Sequence, residues 1–568
     1  MLAMEKRRTL SVDIGSQNTR AWLFEQREEG YALVCSAVAE TSAASGQDLR
    51  GGVNRALEAL QEKSGLRLLD LQQKLIRAEE GVGACGLSLS AGKPIRTVLV
   101  GISDTYSLAA LRRLVSLFYT DVVLEIDLQS DLNATAQLEK LIAANADLFV
   151  CAGGTNQGAI RPVRAALDNL RIVYQSLPRL IRPQLVYAGN EALTDYAREE
   201  LEAGEDFHRA RNIQARTDAE SLAAAWPAML GAFRRLRRQQ LPGLAELEQD
   251  WECEALPSAF AASRIVRLID RMNPGGKGAM ALDVGCNSTI VLAARGEDFI
   301  GSISHPPISE QVGKETSRYS TLPIDAQTAA AYMLNKKLHQ AFLPATLEDL
   351  AIEQAWTRVR LHYALRRTRE LFPWFGYDPE LGLLDPYEPV LLSGESLVRV
   401  PAPQQTLLMA LDGLQPHGIT TFAMDKDQLL AGLGSLAEKE ALLPVQVIDS
   451  GVFSNLGTAI CADASERSSR RVLTLEIDRG ESARETLEIR KGEIKRVETT
   501  PPGPTRIYLS PNELTDVGMG FPGLGGWVTV PPSEVGTVID ARGRPLELPE
   551  EMTRRSEAFY NWLWELGG

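Results

Sequence analysis

The sequence contains few cysteines and histidines and no long apolar run. Its 6 cysteines are scattered over 568 residues without a Cys-x-x-Cys pair, and its 5 histidines are dispersed as well. This pattern excludes a disulfide framework and a cysteine–histidine zinc site and is typical of reduced, mostly buried thiols. No uncharged apolar stretch approaches the roughly 20 residues that a membrane helix requires, and the apolar stretch before Asp13 is too short for a signal peptide. We therefore expect a cytoplasmic protein without membrane insertion.

The chain also has fewer basic than acidic residues. The chain carries 74 acidic and 60 basic residues, a net charge of −14, so we expect no nucleic-acid partner. The strongest basic run lies between Phe233 and Leu241. On a helix, its apolar residues would face inward and its arginines would face solvent, which predicts a solvated helix face first and a surface for an acidic partner second. These arginines are Arg234, Arg235, Arg237 and Arg238.

Composition and length indicate an ordinary globular protein of several domains. The chain is 44% apolar and 24% charged, and its length predicts roughly three or four domains. Between about residues 91 and 250, short apolar strands alternate with helices, which indicates a doubly wound parallel sheet. The loop Ala152–Gly158 follows one of these strands, where such sheets bind ligands, although glycines there also serve simply to turn a strand into a helix.

Two distant segments of the chain repeat one pattern. Ser11–Thr19 and Ala281–Thr289 each run from an apolar strand into Asp-x-Gly-x-x-x-Thr. A single copy would describe an ordinary hairpin turn. Two copies favour a duplicated nucleotide-binding fold, in which each half offers a glycine-bearing turn to a polyphosphate. The alternative is two buried strand–turn units whose aspartates only cap the turn.

The residue types in this pattern suit phosphate and magnesium. Glycine lets backbone N–H groups approach a phosphate closely, and carboxylates hold Mg²⁺ through the water molecules that this ion retains. Asp13 and Asp283 are therefore the candidate catalytic residues and the candidate Mg²⁺ ligands. The candidate phosphate-binding residues are Gly15, Ser16, Gln17, Asn18, Thr19 and Arg20 in the first motif and Gly285, Cys286, Asn287, Ser288 and Thr289 in the second.

In a third segment, Pro389–Ser396, the sequence predicts an apolar strand that ends in Ser393 and Gly394 and is followed by a helix. This arrangement would bring backbone against an adenosine ring and ribose. We therefore expect Gly394 and Glu395 to contact the adenosine.

With these three motifs in this order, the chain resembles the acetate and sugar kinase, heat-shock protein and actin superfamily of ATPases. It is more closely similar to the glutamate mutase accessory family, called MutL or GlmL, which is unrelated to the mismatch-repair protein of similar name. The resemblance covers most of the chain. Its most specific parts are Val150–Gly158, Leu185–Asn190, Leu411–Thr421 with Asp425 and Lys426, Gly525–Val530 and Val538–Leu546.

The resemblance implies an α/β protein with duplicated actin-like (ribonuclease-H-like) ATPase lobes, an additional doubly wound parallel α/β domain and a C-terminal β domain. It implies ATP and Mg²⁺ as cofactors and a protein client, in particular an adenosylcobalamin-dependent mutase, for which the chain would act as a chaperone or reactivating factor. Whether the chain forms a homo-oligomer stays open. The expected segments are residues 1–90 (first part of lobe I), 91–250 (inserted α/β domain), 251–465 (lobe II with the second phosphate and adenosine motifs) and 466–568 (C-terminal β domain and aromatic helix).

The chain departs from the family pattern at functional positions. The second phosphate motif of the family resembles Asp-x-Gly-Gly-x-Thr-Thr-Asp, and here its second glycine, first threonine and last aspartate are replaced by Cys286, Ser288 and Ile290. Arg20 stands where a lysine usually follows the first motif. Ser393–Ser396 replaces a Gly-Ser-Gly-Gly-like loop. Cys286 adds a side chain where the phosphate would approach, and Ile290 removes a carboxylate that could orient water, so we expect nucleotide binding with weak or lost hydrolysis.

Two other functions stay open from the sequence. A nucleotide-independent actin-like scaffold or interaction protein would account for Cys286, Ile290 and the arginine-rich helix. A small-molecule kinase would share the fold, but fold does not carry function. No base for an acceptor site is evident, since the dispersed histidines suit surface or core positions better than catalysis.

Overall fold

The computed structural model describes residues 7–42, 47–77, 81–129, 134–158, 160–201, 204–216, 220–465, 467–478, 484–498 and 503–568. The chain forms two compact units. Unit 1 comprises Met1–Ala262 and Ala431–Gln446, and unit 2 comprises Ser263–Leu430 and Val447–Gly568. Among the described residues, no helix is long and apolar enough to cross a membrane.

The elements that begin in unit 1, up to residue 262, are ten strands and eight α-helices in the described part of the chain. The strands are β1 Arg8–Ile14, β2 Asn18–Arg27, β3 Gly30–Glu40, β4 Ala84–Leu89, β5 Ile95–Gly101, β6 Thr120–Asp127, β7 Leu148–Cys151, β8 Gln184–Tyr187, β9 Phe207–Arg209 and β10 Leu256–Pro257. The helices are α1 Arg50–Ser64, α2 Ala109–Val115, α3 Ala134–Ala143, α4 Arg161–Ser176, α5 Thr194–Glu200, α6 Trp226–Gln240, α7 Leu244–Trp251 and α8 Ser258–Met272.

The remaining elements follow from residue 263. The strands are β11 Ala279–Val284, β12 Thr289–Arg295, β13 Asp298–Ser304, β14 Tyr377–Asp378, β15 Leu383–Leu384, β16 Val390–Ser393, β17 Gly418–Met424, β18 Ser454–Cys461, β19 Asp463–Ala464, β20 Arg471–Asp478, β21 Glu485–Arg490, β22 Ile494–Val497, β23 Thr505–Pro511, β24 Thr515–Asp516, β25 Gly526–Val530 and β26 Thr537–Asp540. The helices are α9 Glu310–Arg318, α10 Ala326–Leu338, α11 Leu347–Leu371, α12 Glu395–Val398, α13 Pro403–Leu414, α14 Leu430–Leu436, α15 Leu442–Asp449 and α16 Met552–Glu565.

The first sheet of unit 1 has the strand order β3-β2-β1-β4-β10. Strand β2 is antiparallel to both β1 and β3, whereas β4 and β10 run parallel to β1. If the five strands of this sheet are numbered by their position along the chain, their spatial order is 3-2-1-4-5. Strand β1 is buried almost throughout, with Leu10, Val12 and Ile14 fully inaccessible, because both faces of the sheet are covered.

The second sheet of unit 1 is fully parallel, with the order β6-β5-β7-β8-β9. Helices α3, α4 and α5 cover one face with an apolar core, and α2 and α6 also pack on the sheet. This confirms the doubly wound parallel domain. Counted within the domain, the order is 2-1-3-4-5, one of the two common doubly wound arrangements.

The arginine-rich helix α6 differs from the prediction at one position. Arg237 is fully buried, donates to the carbonyl oxygen of Lys93 over 2.6 Å and lies over the ring of Phe233. Arg235 pairs with Asp206, and Arg238 with Glu248. The prediction of four solvent-facing arginines is therefore wrong for Arg237, whose long stem reaches a backbone acceptor inside the unit.

The main sheet of unit 2 has eight strands in the order β13-β12-β11-β16-β17-β18-β26-β22. Its first five repeat the 3-2-1-4-5 arrangement, with β11, β12 and β13 antiparallel and β16 and β17 parallel to β11. This is the strand order of the ribonuclease-H-like fold, present once in each unit. The duplicated actin-like fold is thereby confirmed.

Strands from the last hundred residues take two different places. Strands β20, β21, β23 and β25 form a separate four-stranded antiparallel sheet with its own core. Strands β22 and β26 instead extend the eight-stranded sheet. The C-terminal β region predicted from the sequence therefore shares strands with the sheet before it, and the proposed segment boundaries stay predictions.

The long helix α11 is central to unit 2. Thr346 caps it by accepting from the Asp349 backbone amide, and the Asp349 carboxylate accepts from the Thr346 amide, a reciprocal arrangement that fixes where a helix begins. Leu361, Ala364 and Leu365 join the core beneath β11 and β16. The burial of this helix positions its polar side chains against the sheet.

Candidate functional site

Asp13 lies at the carboxyl end of β1 and is nearly buried. Its Oδ1 accepts hydrogen bonds from Ser88 Oγ over 2.6 Å and from Ser258 Oγ over 2.5 Å. Ser88 is directly beside Asp13 in the β1–β4 register, and Ser258 follows β10. Three parallel strands of one sheet therefore bring their carboxyl ends together at this carboxylate.

Asp283 holds the equivalent place in unit 2. It lies at the end of β11, directly beside Ser393 in the β11–β16 register, and its residue is half-buried. Ser393 Oγ donates to Asp425 Oδ2 over 3.2 Å, and Asp425 follows β17. The ends of β11, β16 and β17 thus correspond to those of β1, β4 and β10.

The turn after each aspartate closes in the same way. The Gly15 amide donates to the Asn18 carbonyl oxygen over 3.0 Å, and the Gly285 amide donates to the Ser288 carbonyl oxygen over the same distance. Neither glycine has a positive φ. A Cβ at Gly15 would lie 2.7 Å from the Asn18 oxygen, whereas one at Gly285 would lie 3.7 Å from the Ser288 oxygen. Glycine is therefore a steric requirement in the first turn only.

The predicted adenosine loop lies against Asp283. Gly394 has a φ of +87°, and a Cβ there would lie 2.5 Å from Asp283 Oδ1, so both its conformation and its surroundings require glycine. Glu395 opens α12 and pairs with Arg399 over 2.7 Å. The structure thus brings Gly394 and Asp283 together and pairs Glu395 with the residue that directly follows its helix.

Asp425 is a buried carboxyl group at this strand edge. Burial raises its pKa to about 7, although the amides of Leu429 and Leu430 and the Ser393 hydroxyl act in the opposite direction. The charge of Asp283 raises the pKa further. A carboxyl group that titrates near neutrality next to a candidate site is a known feature of functional sites.

The two motif threonines have structural roles in this arrangement. Thr19 is fully buried, and its Oγ1 lies 2.8 Å from Thr41 Oγ1. Thr289 is equally buried, and its Oγ1 has no hydrogen-bond partner among the described residues. The more accessible positions of the two motifs are Ser16, Gln17, Asn18 and Arg20, and Cys286, Asn287 and Ser288, all half-exposed.

Arg360 of α11 supports the second turn and was not predicted from the sequence. Its Nη2 donates to the carbonyl oxygens of Gly285 and Ser288 over 2.6 and 2.7 Å. The residue is 2% exposed, and burial lowers its pKa, opposed by the nearby Cys286 and Asp283 among other groups. This guanidinium holds both ends of the turn and places a positive charge beside it.

Ser88 and Ser258 were also not predicted as site residues. Each follows apolar residues, in Gly86-Leu-Ser88 and Leu256-Pro-Ser258, and only the strand register shows that both reach Asp13. Asp425 belongs to a family motif for which the sequence predicts no role. Among the described residues, no group of three or more histidine, cysteine or acidic side chains could by itself hold a metal ion.

A family model described as MutL protein matches residues 9–452. The chain belongs to the MutL protein family. This confirms the family identified from the sequence motifs. The matched range includes both turns, the Gly394 loop and Arg360.

Several solved structures resemble the chain at low identity. A diol dehydratase-reactivating factor in nucleotide-free form is 12% identical, with 77% of this chain and 100% of that chain covered and a TM-score of 0.31. A glycerol dehydratase reactivase is 12% identical, with 76% and 100% covered and a TM-score of 0.32. The activator of 2-hydroxyisocaproyl-CoA dehydratase from Clostridium difficile, with bound ADPNP, is 11% identical, with 78% and 97% covered and a TM-score of 0.25. No curated protein sequence matches the chain. The strand orders, rather than these likenesses, carry the fold assignment.

Proposed function

We propose that the chain binds Mg-ATP and uses the bound nucleotide to act on a protein client. The observation that carries this proposal is the repetition of one arrangement in both units. Each has an aspartate at the end of the first strand, a serine beside it on the fourth strand and a turn closed by the same backbone hydrogen bond. Repeated strand-end carboxylates with glycine turns suit a ligand that carries phosphates and a hydrated cation.

The aspartates have the chemistry that Mg²⁺ requires. Only Oδ1 of Asp13 receives the two serine hydrogen bonds, and Oδ2 accepts from no described residue. One carboxylate oxygen is thus left for a metal-bound water. Asp283, half-buried at the equivalent strand end, is the second carboxylate proposed for the cation. The cation would neutralise phosphate charge, while the loop at Gly394 would contact the nucleoside.

We propose that hydrolysis is weak. Ile290 is paired directly with Asp283 across the β11–β12 hairpin, at the position where the family pattern has an aspartate. No carboxylate is therefore offered there to orient an attacking water. Arg360 donates to the carbonyl oxygens of Gly285 and Ser288 and so supports the turn for nucleotide binding.

The proposed client is an enzyme whose active state the chain maintains or restores. The family resemblance points to adenosylcobalamin-dependent mutases, so such an enzyme is the first client to test. The protein would act on it as a chaperone or reactivating factor, with nucleotide binding shifting the population of its conformations, since a ligand favours the state in which it makes more contacts.

Calorimetric titration tests the nucleotide part directly. Purified protein is titrated with ATP, ADP and a non-hydrolysable analogue in Mg²⁺, and phosphate release is then measured on the same sample. Asp13→Asn and Asp283→Asn are each expected to weaken ATP binding by about tenfold or more, because a charge-assisted contact is lost. Asp298→Asn, at an exposed position of β13, is the matched control. Wild-type affinity in both site variants would contradict the proposal.

The second candidate is a nucleotide-independent scaffold. The placement of Thr19 favours it, because that hydroxyl is taken by Thr41, and so does the side chain that Cys286 adds to the second turn. The ion pairs of Arg235 and Arg238 leave the arginine-rich helix less suited to an acidic partner than the sequence implied. Sedimentation measures the assembly state of the protein with and without Mg-ATP and so distinguishes the two functions. An assembly state that does not change when Mg-ATP is added supports the scaffold.

A further inference from the structure

A cavity of about 290 Å³ lies in unit 2. Its walls come from α9, α11, the segment before β15 and the segment after β26. None of the candidate phosphate- or adenosine-binding residues lines it. Its lining includes Gln415 and Leu546, which belong to two family motifs that nucleotide binding leaves unexplained.

One polar pair in the lining is uncharged at neutral pH. The hydroxyl of Tyr319 lies 2.9 Å from Nε2 of His362, and their rings are 5.4 Å apart. Burial, with the charge of Arg366, lowers the pKa of His362 to about 4. Burial also raises the pKa of Tyr319 to about 12. The pair therefore offers hydrogen-bonding atoms without carrying a charge of its own.

Two arginines supply positive charge at this cavity. Arg318 and Arg366 both line the cavity, and neither forms an ion pair with a described residue. Arg366 acts electrostatically on His362, and Arg318 acts on Tyr319. Asp412 acts on both rings as well, but its carboxylate is already paired with two buried arginines, Arg358 and Arg542.

The lining also contains two carboxylates, from Glu315 and Glu380. Neither is among the groups that shift the pKa of His362 or Tyr319. Glu380 is exposed, as Arg318 and Arg366 are, and Glu315 is half-buried. Arg318 and Arg366 are therefore the cations of the lining that act on the Tyr319–His362 pair. Apolar wall is supplied by Val312, Val359, Leu381, Leu546 and Leu548.

We propose that this cavity binds a small organic anion, with its acidic group at Arg318 and Arg366 and its apolar body against the leucines. Arginine presents a planar fork of donors that matches carboxylate and phosphate oxygens. The cavity is at the small end of the size range of ligand pockets, so the ligand is a compact one. This inference does not depend on nucleotide binding.

Isothermal calorimetry on the full chain without nucleotide tests the inference. The probes are hexanoate, hexyl phosphate, 1-hexanol and inorganic phosphate. We expect saturable binding of hexanoate or hexyl phosphate, at least about tenfold tighter than that of 1-hexanol. Whichever of the two anions binds more tightly shows whether the acidic group of the ligand is a carboxylate or a phosphate. Arg318→Gln and Arg366→Gln are each expected to weaken this binding by about tenfold or more.

Two further variants make the test specific. Arg367→Gln removes an exposed arginine of the same helix, paired with Glu370 and absent from the lining, so it should bind like wild type. Leu381→Trp, at a position 47% exposed, should fill the cavity and block binding without disturbing the core. Equal binding of 1-hexanol and hexanoate, binding of inorganic phosphate alone, wild-type affinity in both arginine variants or no saturable binding of any probe would overturn the inference. The same samples are also titrated with ATP. A loss of anion binding with ATP binding unchanged would then count against this inference alone and not against the proposed function.

Discussion

Arg542 donates from Nη1 to Oδ1 of Asp412 over 2.8 Å, and both side chains are almost completely buried in unit 2. The other oxygen of Asp412 accepts from Arg358 over 2.8 Å. Arg542 and Arg544 also pair with Asp540, each over 2.8 Å. Burial alone would raise the pKa of Asp540, but these two arginines hold that pKa well below its ordinary value.

This network joins two family motifs, Leu411–Thr421 and Val538–Leu546, which lie far apart in the chain. Its three arginines exceed its two carboxylates, and aromatic rings of α16 face the additional positive charge. Arg358 lies 5.2 Å from the ring centre of Phe559, and Arg542 lies 4.5 Å from that of Trp562. The motifs that identify the family therefore build the interior of unit 2, in addition to any part in ligand binding.

Removing one carboxylate of this network should destabilise the protein strongly. Asp412→Leu would leave Arg358 and Arg542 without their shared partner, and breaking a buried ion pair costs about 3–5 kcal/mol. Urea unfolding measures the loss. The exposed pair Arg471–Glu488 supplies the control, because Arg471→Gln should change the free energy of unfolding by no more than about 1 kcal/mol. A loss as small for Asp412→Leu as for the control would contradict this account.

The stability of the protein should depend on pH through Asp425. Its pKa is raised from 3.8 to about 7 on folding, so the folded state holds this proton more tightly than the unfolded state. The contribution of the group is therefore fully favourable below pH about 4 and is lost as the pH rises toward about 7. At about 1.4 kcal/mol for each pH unit, the loss is on the order of 4 kcal/mol.

Asp425→Asn isolates this effect. The asparagine cannot ionise, so the difference in unfolding free energy between variant and wild type should grow in favour of the variant between pH 4 and pH 7 and then level off. It still has an oxygen for the Leu429 amide but loses one acceptor, which adds a constant penalty at every pH. Parallel stability curves for the two proteins would show that Asp425 does not titrate in this range.

The two turns should respond differently to the same substitution. Gly15→Ala places its Cβ 2.7 Å from the Asn18 carbonyl oxygen, whereas Gly285→Ala leaves 3.7 Å to the Ser288 oxygen. Forcing an atom into a packed site costs about 1–3 kcal/mol, so only Gly15→Ala should lower the melting temperature measurably. Equal melting temperatures for the two variants would show that the first turn can relax.

Much of the fold was predictable because it rests on local patterns. The repeated Asp-x-Gly turn placed Asp13 and Asp283 at strand ends, and alternating strands and helices predicted the inserted sheet. The partners of these aspartates were not predictable, since Ser88 and Ser258 meet Asp13 only through the pairing of β1, β4 and β10. The burial of Arg237 and Arg360 was not predictable for a related reason. An arginine on a helix is expected to face solvent, and only the structure shows the acceptors that these two side chains reach inside the protein.

Arg360 should matter for the second turn without touching a nucleotide itself. Arg360→Met keeps an apolar stem but removes both hydrogen bonds to the Gly285 and Ser288 carbonyl oxygens. We expect a loss of unfolding free energy of about 2–3 kcal/mol, because hydrogen bonds from a charged donor are worth more than neutral ones, together with weaker ATP binding. Arg360→Lys should recover part of the affinity, since it restores a charge near the turn, whereas Arg367→Gln should change neither quantity.

Restoring a carboxylate at Ile290 should increase hydrolysis more than binding. In Ile290→Asp the new side chain lies on the residue paired with Asp283 across the hairpin, where it could orient a water molecule. Two carboxylates so close repel each other, so without Mg²⁺ the variant should be less stable than Ile290→Asn by up to about 1 kcal/mol. The measurements are phosphate release and ATP affinity in Mg²⁺, with Ile290→Asn as the uncharged control. Faster release in the aspartate variant alone, at similar affinity, would identify the missing carboxylate as the cause of weak turnover; equal release in both variants would place the limit elsewhere in the site.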